Sequence, residues 1–204
     1  MNRLIIIGAG GHGKVVASCA EDTKRFDEIC FLDDSGKTEV LGFKVVGKTS
    51  DIEKFVSDSQ FIVAIGNNEA RKNFCQTIEN LGGKLATIVH PSVVIGKQAV
   101  IENGTFVSAN AVINPSAQIG KGAIINTSAV VEHDCVIGDY THICPAVAIA
   151  GTVNVGNFCT LGIGTKVSNN VNICDRTILG AGSVVVKDII EAGTYVGVPA
   201  KKIK

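Results

Sequence analysis

Hydrophobic positions in the C-terminal half of the chain repeat with a period of six residues. From Ile95 to Val185 every sixth residue is Ile, Val or Leu, sixteen times in succession without a slip. A small or β-branched residue stands two positions before each of them, as in Val93, Ala99 and Thr105. This period is neither that of an α-helix nor the alternation of a sheet with one wet face. It is typical of a parallel β-helix in which each hexad forms one side of a coil.

Three hexads make one triangular coil of 18 residues, so residues 18 apart should stack on neighbouring rungs roughly 4.8 Å away. We expect both repeated positions to point inward, with the aliphatic residue filling the prism and the small residue making room beside it. Glycine, asparagine and aspartate should occupy the turns, as at Gly96, Gly120 and Gly138.

The N-terminal part of the chain begins with a strand, a glycine turn and a helix. Residues 4–7 are continuously apolar, which is typical of a strand buried on both faces of a parallel sheet. Residues 8–13 read Gly-Ala-Gly-Gly-His-Gly, and residues 15–20 carry an apolar helical stripe. A helix N-terminus behind a glycine turn offers free N–H groups to an anion.

A second predicted strand, residues 29–32, ends in Asp33 and Asp34, where a carboxylate could bind a ribose hydroxyl. The spacing fits a dinucleotide-binding fingerprint. Only about 90 residues precede the repeat, enough for one mononucleotide-binding half. We therefore favour a single nucleotide or nucleotide sugar over NAD; a glycine turn used only for packing is the alternative.

Further elements are predicted before the repeat begins. Residues 61–65 form a buried strand, residues 66–69 its exit turn, and the following helix has an apolar stripe. Arg71 and Lys72 lie in the first turn of that helix, where cations oppose the helix dipole. Either a bound phosphate or simple solvation explains them. A last strand is predicted at residues 85–89.

One coil carries a candidate catalytic group. His133 follows the inward Val131 by two residues and should point outward near a corner, with Asp134 beside it. A carboxylate against imidazole holds one tautomer and raises its basicity, as a general base requires. Gly151 comes one full coil after His133 and should stack on it, placing a backbone N–H where an oxyanion donor is needed.

Composition narrows the function classes. The 204 residues carry no net charge, so nothing electrostatic suggests nucleic acid or an acidic membrane surface as a partner. We expect no membrane insertion, and the absence of a signal peptide or spanning segment argues for the cytoplasm. The seven cysteines contain no Cys-x-x-Cys, and Cys135 and Cys159 occupy the small inward position of the repeat.

Five motifs carry a resemblance to a known family. They stand at residues 8–13, 31–34 (Phe-Leu-Asp-Asp), 64–71 (Ala-Ile-Gly-Asn-Asn-Glu-Ala-Arg), 131–138 (Val-Glu-His-Asp-Cys-Val-Ile-Gly) and 196–201 (Val-Gly-Val-Pro-Ala-Lys). In this order they resemble the bacterial sugar O/N-acetyltransferases. These include the UDP-4-amino-sugar N-acetyltransferases of bacillosamine synthesis and the sialic acid O-acetyltransferases.

The resemblance implies an α/β N-terminal half-Rossmann domain (residues 1–90) that binds a nucleotide sugar. A left-handed parallel β-helix (residues 91–188) and a C-terminal tail (residues 189–204) near coenzyme A would follow. Members of the family are usually homotrimers with acetyl-CoA bound between subunits. The resemblance implies acetyl-CoA as co-substrate and no metal.

Site residues are carried over from the family by matching position. The catalytic residues would be His133 as base, Asp134 as its polariser and Gly151 at the acetyl carbonyl. The substrate-binding residues would be Gly10, Gly11, His12, Asp33, Asp34, Asn67, Asn126 and His142. The acetyl-CoA-binding residues would be Gly151, Gly197, Val198, Pro199 and Lys201. Asp134 is one methylene shorter than the Glu that the bacillosamine enzymes carry there.

The preferred function is direct acetyl transfer from acetyl-CoA to the amino group of a UDP-linked 4-amino sugar. The alternatives within the family are O-acetylation of sialic acid or a related sugar and N-acetylation of a GDP-amino sugar. Two rivals come from other classes: a γ-type carbonic anhydrase, which needs three histidines around a metal, and a nucleotide-sugar sensor without catalysis. Only His133 and His142 lie in the β-helix proper.

Overall fold

The computed structural model describes residues 2–204 and shows an α/β sheet followed by a parallel β-helix. The N-terminal sheet has the strand order β3-β4-β2-β1-β5-β6. Its strands are β1 (Arg3–Ile7), β2 (Glu28–Leu32), β3 (Glu39–Val40), β4 (Phe43–Gly47), β5 (Ser59–Val63) and β6 (Lys84–Leu85). Its helices are α1 (Gly11–Asp22), a 3-10 helix (Thr49–Phe55) and α2 (Asn68–Asn80).

The first strand lies at the centre of this sheet. It pairs in parallel with β2 on one side and β5 on the other, and its residues Leu4 to Ile7 are fully buried. Alternate side chains of the strand pack into two separate hydrophobic clusters, one on each face. The continuous apolar run therefore forms the doubly covered strand that was predicted. The β3–β4 hairpin and the 3-10 helix were not predicted.

The β-helix consists of short strands of two residues arranged in three parallel sheets. Its strands are β7 (Ile88–Val89), β8 (Val94–Ile95), β9 (Val100–Ile101), β10 (Phe106–Val107), β11 (Val112–Ile113), β12 (Gln118–Ile119), β13 (Ile124–Ile125), β14 (Val130–Val131), β15 (Val136–Ile137), β16 (His142–Ile143), β17 (Ala148–Ile149), β18 (Asn154–Val155), β19 (Thr160–Leu161), β20 (Lys166–Val167), β21 (Asn172–Ile173), β22 (Ile178–Leu179) and β23 (Val184–Val185). We call the sheet that contains β16 the first side, the sheet that contains β14 the second side and the sheet that contains β15 the third side.

Pairing between rungs follows the predicted spacing of one coil. Ile125 pairs with Ile143, and Val131 pairs with Ile149. The repeated aliphatic and small residues form one buried cluster along the axis. Ile95 differs from the expectation because it lies on the lowest rung and is 46% exposed. The predicted fold class is thus confirmed, whereas the homotrimer stays a prediction.

The corners of the coils follow a rule that the sequence analysis did not recognise. A residue with positive φ recurs every sixth position, three residues after each inward aliphatic from Ile95 to Leu179, as at Asp134 (φ 58°) and Tyr140 (φ 55°). Gly120 and Gly138 do lie at corners, but their φ angles are not positive. A Cβ on Gly120 would stand 2.6 Å from Asp139 Oδ1. Glycine is therefore needed there because the next rung approaches closely, not because of the turn itself.

Two predicted elements differ from the observed ones. The single strand expected at residues 85–89 is divided, because Leu85 belongs to β6 of the N-terminal sheet while Ile88 begins the first side of the β-helix. The C-terminal tail adds β24 (Thr194–Val196) and β25 (Lys201–Lys202), which pair antiparallel beside β22. Because β6 ends at Leu85 and the β-helix begins at Ile88, almost no linker separates the N-terminal sheet from the β-helix.

We predict that Ile137→Ala lowers the free energy of unfolding by about 2–5 kcal/mol, because it removes methylenes from the filled prism. Ile137 is 1% exposed, whereas its neighbour Val136 points outward and is 39% exposed. Val136→Ala is the matched control and should cost no more than about 0.5 kcal/mol. Urea unfolding followed by circular dichroism measures both, and equal losses would contradict the assigned alternation.

Candidate functional site

A cavity of about 480 Å³ opens at the carboxyl ends of β1, β2 and β5. The glycine turn forms one wall, and its glycines serve two purposes. A Cβ on Gly13 would overlap the carbonyl oxygen of Gly8, so this glycine is required for packing. Gly10 and Gly11 have open space where a Cβ would lie. The turn therefore packs tightly at its end and leaves its middle accessible to a ligand.

Asp33 and Asp34 line this cavity, and both carboxylates already take part in hydrogen bonds that order the surrounding loops. Asp33 Oδ2 accepts from the N–H of Ala9 (2.7 Å), and Asp33 Oδ1 accepts from Ser35. Asp34 accepts from the N–H of Thr49 (3.0 Å) and from its hydroxyl (2.7 Å). The carboxylates thus hold the cavity rim in place, and Asp33 Oδ2 and both oxygens of Asp34 each keep a lone pair for a ligand hydroxyl.

Lys37 brings a cation to the same turn, which the sequence analysis missed. Its Nζ donates to the carbonyl oxygen of Ala9 at 3.2 Å. The loop after β2 therefore folds back over the glycine turn. Its position in the same loop as the paired aspartates was the available signal, since loops at the carboxyl ends of parallel strands meet at one edge.

His12, Asn126 and His142 come together beside the cavity. The rings of His12 and His142 lie 6.3 Å apart between centroids, and Asn126 Nδ2 lies 3.1 Å from His142 Nε2. An amide N–H can only donate, so His142 Nε2 accepts and its Nδ1 carries the proton. His12 Nε2 is buried without a hydrogen-bond partner among residues 2–204. These three residues, predicted to bind substrate, form one cluster.

Both histidines of this cluster are held neutral. Burial, followed by the positive charge of Arg71, lowers the pKa of His12 to about 4. The same two causes, with a further contribution from His12, lower the pKa of His142 to about 3. A neutral imidazole offers one donor and one acceptor. The cluster is therefore suited to hydrogen bonding with a polar substrate group rather than to charge pairing.

His133 lies at another place, the corner between the second and third sides. Its Nδ1 is 2.8 Å from Asp134 Oδ2, and both side chains are more than half exposed. Nδ1–H therefore donates to the carboxylate and leaves Nε2 free to accept a proton. Gly151 stacks on the ring as predicted: a Cβ there would lie 2.6 Å from His133 Nε2. Within residues 2–204 the Gly151 N–H donates to no acceptor.

The two clusters cannot meet within one chain. His142 points outward from the first side, whereas His133 lies at the corner opposite that side of the triangular coil. The prism between them is filled by buried aliphatic residues such as Val131 and Ile143. A reaction that uses both clusters therefore requires a second chain.

The remaining predicted residues occupy different places. Asn67 caps α2, since its side chain accepts from the N–H of Ala70 (2.9 Å), and it lines a separate cavity of about 260 Å³. Gly197, Val198, Pro199 and Lys201 lie in the tail at the far end of the first side. Val198 is 73% exposed there. The tail residues are accessible, and none of them lines the larger cavity.

Neither interpretation of the helix cations was right for Arg71. The side chain is 1% exposed and donates only to carbonyl and amide oxygens, so it is neither solvated nor available to a phosphate. Together with Cys75 and Ile78 it forms the buried face of α2. The spacing of these three residues was the signal, since Arg71 stands one helical turn before Cys75. Lys72 lies over the ring of Phe158 at 5.4 Å.

Two general features of the chain complete the description of the site. Among residues 2–204 no three His, Cys, Asp or Glu side chains are grouped so that they could hold a metal ion. No helix in that range is both long and apolar enough to cross a membrane.

An α/β domain with a glycine-turn cavity, joined to a hexapeptide β-helix with an exposed His–Asp pair, defines the class of β-helix acyltransferases. Residues 3–78 match the family described as the PglD N-terminal domain. The chain is 38% identical over 116 residues to the UDP-N-acetylbacillosamine N-acetyltransferase of Bacillus subtilis (strain 168), which is 53% of this chain and 52% of that protein. The match thus spans about half the length of that relative.

Solved structures extend the likeness over the whole chain. The acetyltransferase domain of PglB from Neisseria gonorrhoeae FA1090, in complex with acetyl coenzyme A, superimposes with a TM-score of 0.96 at 36% identity and covers 98% of each chain. A mutant of perosamine N-acetyltransferase from Caulobacter crescentus, in complex with CoA and GDP-perosamine, gives a TM-score of 0.94 at 37% identity over 98% of this chain and 96% of that one. The chain belongs to this family of acetyl-CoA-dependent sugar acetyltransferases.

We predict that acidification destabilises the protein between about pH 6.5 and pH 3, because in this range His142 is protonated in the unfolded chain and neutral in the folded protein. Its stabilising contribution is complete above the unfolded pKa and is lost as the pH falls toward the folded value. The slope is up to about 1.4 kcal/mol per pH unit for each such histidine. Urea midpoints measured from pH 7 to pH 4 should fall less steeply in His142→Asn. His133→Asn is the control, because it removes a histidine that lies outside the buried cluster; a slope in His142→Asn identical to that of the wild type would contradict a buried neutral His142.

Proposed function

We propose that the protein transfers the acetyl group of acetyl-CoA to the amino group of a UDP-linked 4-amino sugar. The observation that carries the proposal is the corner at which His133, polarised by Asp134, lies against Gly151 with its unpaired N–H. A base and an oxyanion donor side by side are the two groups that acyl transfer to an amine needs.

In the proposed reaction the sugar amine attacks the acetyl carbonyl carbon, and His133 Nε2 accepts the proton that the amine loses as the C–N bond forms. The Gly151 N–H donates to the oxygen that becomes negative. The C–S bond then breaks, and the imidazolium returns its proton to the leaving thiolate. Asp134 holds the ring in the tautomer with Nε2 free and stabilises the cation that forms.

The nucleotide is assigned to the cavity at the glycine turn. Gly10 and Gly11 allow the phosphates to approach the N-terminus of α1, and Lys37 adds a positive charge beside them. Asp33 and Asp34 keep acceptors available for ribose hydroxyls. The sugar would then extend toward His12, Asn126 and His142, where neutral polar groups meet its hydroxyls and amine.

We further propose that the protein is a homotrimer and that each active site is shared between two subunits. His133 of one subunit would face the His142 cluster of its neighbour, because the two groups lie on opposite sides of the same prism. Acetyl-CoA would run along the groove between subunits, with the tail residues Gly197, Val198, Pro199 and Lys201 beside it. Asn67 would contribute from the end of α2.

A GDP-linked amino sugar is the second candidate. The perosamine enzyme, solved with GDP-perosamine, matches nearly the full length of this chain at 37% identity. The Bacillus protein, named for a UDP sugar, matches at 38% over a shorter stretch. Both relatives are N-acetyltransferases by name, which favours an amine over the hydroxyl of a sialic acid.

We predict thiol release from acetyl-CoA with a UDP-4-amino sugar, at a higher kcat/KM than with a GDP-4-amino sugar or free sialic acid. A free-thiol assay over this panel, with acetylated product identified by mass spectrometry, measures it. His133→Ala should lower kcat by about 10²–10⁴, since the general base is lost. Its thermal midpoint should match that of the wild type because the side chain is exposed.

Three outcomes would count against the proposal. A sensor would bind the UDP sugar and release no thiol with any acceptor. Faster turnover with the GDP sugar would transfer the assignment to the second candidate. Wild-type turnover in His133→Ala would remove His133 from the mechanism.

We predict that two inactive variants restore activity to each other when they share a trimer. His133→Ala and His142→Ala each damage one half of the site, so a mixed trimer regains intact sites at some interfaces. Random mixing after co-expression should restore about a quarter of the wild-type sites. The thiol-release assay on the co-purified mixture measures it. The same variants mixed after separate purification are the control, and no recovery on co-expression would contradict the shared site.

A further inference from the structure

Among residues 2–204, Arg71 is the largest side chain that is fully buried. All three of its nitrogens donate to uncharged oxygens rather than to a carboxylate. The acceptors are Gly122 O (2.7 Å), Tyr140 O (2.6 Å), Ile65 O (2.9 Å), Gly66 O (3.2 Å) and Asn68 Oδ1 (2.8 Å). Burial lowers its pKa to about 10, so the guanidinium still carries its charge at neutral pH. Removing a cation from water without an anionic partner is unfavourable, which makes a purely space-filling role a poor explanation.

The acceptors belong to two separate parts of the molecule. Ile65 and Gly66 follow β5 and form a wall of the glycine-turn cavity. Gly122 and Tyr140 belong to successive rungs of the β-helix and occupy the same corner, one coil apart. A single planar group therefore connects the cavity to the β-helix, and its fixed fork sets the direction of each hydrogen bond.

Asn68 extends this connection by one more rung. Its side-chain oxygen accepts from Arg71, while its Nδ2 donates to Phe158 O (2.9 Å), Cys159 O (3.0 Å) and Thr160 Oγ1 (3.1 Å). Phe158 occupies the same corner as Tyr140, one coil further along the chain. Arg71 and Asn68 together thus contact three consecutive rungs of one corner.

The backbone of the β-helix leaves these corner carbonyl oxygens available as hydrogen-bond acceptors. Gly122, Tyr140 and Phe158 have positive φ angles of 59°, 55° and 57°. Within residues 2–204 none of their oxygens accepts a backbone hydrogen bond of the coil. The Tyr140 ring stacks on that of Phe158 at 5.6 Å, and Gly122 lacks a side chain where the Tyr140 ring lies. The corner therefore presents a column of carbonyl oxygens that the coils leave without a partner, and side chains of α2 donate hydrogen bonds to them.

The column lies next to the cluster of His12, Asn126 and His142. Tyr140 stands two residues before His142, and Phe158 stands two residues before Thr160, which pairs with His142 on the next rung. The rungs repeat at roughly 4.8 Å, so a shift of the N-terminal domain by one rung would move a bound sugar by that distance. Acyl transfer does not tolerate such an error, since a misplacement of about 1 Å can cost about 10²-fold in rate.

We propose that Arg71, together with Asn68, is a positioning residue that sets which rung of the β-helix faces the nucleotide cavity. It acts on the reaction through the placement of His142 relative to the bound nucleotide and does not touch substrate itself. This inference rests on the proposed function, because it concerns the distance between the nucleotide and the transfer site.

The test compares Arg71→Lys and Asn68→Ala with wild type in two measurements. The first is kcat/KM for the nucleotide sugar in the thiol-release assay, and the second is the Kd of UDP alone by calorimetry. Lysine keeps the charge but has neither the fork nor enough donors for five acceptors. We expect kcat/KM to fall by about 10²-fold in Arg71→Lys, with the Kd of UDP and the KM of acetyl-CoA unchanged. Asn68→Ala should show the same pattern to a smaller degree.

Arg176→Lys is the matched control. Arg176 is an exposed arginine on the same boundary, where it pairs with Glu69 and covers the ring of Phe158. It contacts none of the corner carbonyls, so its conversion to lysine should leave both measurements as in wild type. A merely structural role for Arg71 would lower the thermal midpoint and the active fraction without separating kcat/KM from UDP binding.

Three results would overturn the proposal. These are unchanged transfer in Arg71→Lys and Asn68→Ala, a loss of UDP affinity equal to the loss of transfer, or the same loss in Arg176→Lys. If Arg71→Lys does not fold, Asn68→Ala decides alone, since the cavity wall and Arg71 remain in place.

Hydrogen exchange separates this inference from the proposed function. If the wild type transfers acetyl to no member of the panel, the proposed function is wrong. The positioning contact still predicts faster exchange of the backbone amides at residues 122–124 and 140–142 in Arg71→Lys. Residues 166–168 of the second side should exchange as in wild type. Unchanged exchange at the corner would overturn the inference independently of any activity.

Discussion

Every coil of the β-helix is held to the next by parallel backbone hydrogen bonds between residues one coil apart. The inward aliphatic residues of successive rungs meet along the axis and leave no room for anything else. This stacking has a direct consequence for the chemistry of the protein. Because the interior is filled, functional groups must lie on the outer faces and corners, and their heights are set in steps of one rung.

The corners are where this constraint becomes useful. Each corner needs a residue with positive φ, and the carbonyl of that residue turns away from the ladder between rungs. At one column of corners, Arg71 and Asn68 of α2 donate hydrogen bonds to these carbonyl oxygens. At another corner the rung spacing places Gly151 against His133. The same geometric repeat thus supplies a docking surface for the N-terminal domain and an exposed imidazole next to a free N–H.

Burial between the two domains sets the electrostatics of the cluster of His12, Asn126 and His142. His12 and His142 are partly enclosed and lie near a guanidinium that has no carboxylate partner, so their pKa values fall well below the ordinary value. His133 is exposed and pairs with Asp134 instead. The histidines in the two places therefore differ in environment: those of the cluster are buried and neutral, whereas His133 is exposed with a free Nε2, as the proton transfer proposed for it requires.

The period of six determined the β-helix, its register of one coil per rung and the approach of Gly151 to His133, since each depends only on spacing along the chain. The apolar run at residues 4–7 likewise determined a strand covered on both faces. The glycine turn located the cavity because that turn is defined by local conformation.

Contacts across the domain boundary could not be derived in the same way. The sequence suggested a phosphate ligand or a solvated cation for Arg71, because two of its acceptors lie 51 and 69 residues further along the chain. The division of residues 85–89 between two sheets, and the meeting of His12 with Asn126 and His142, also depend on how α1 and α2 pack against the first side. Only the tertiary structure decided these contacts, because no residue type in the sequence indicates which backbone carbonyl at a corner lacks a hydrogen-bond partner.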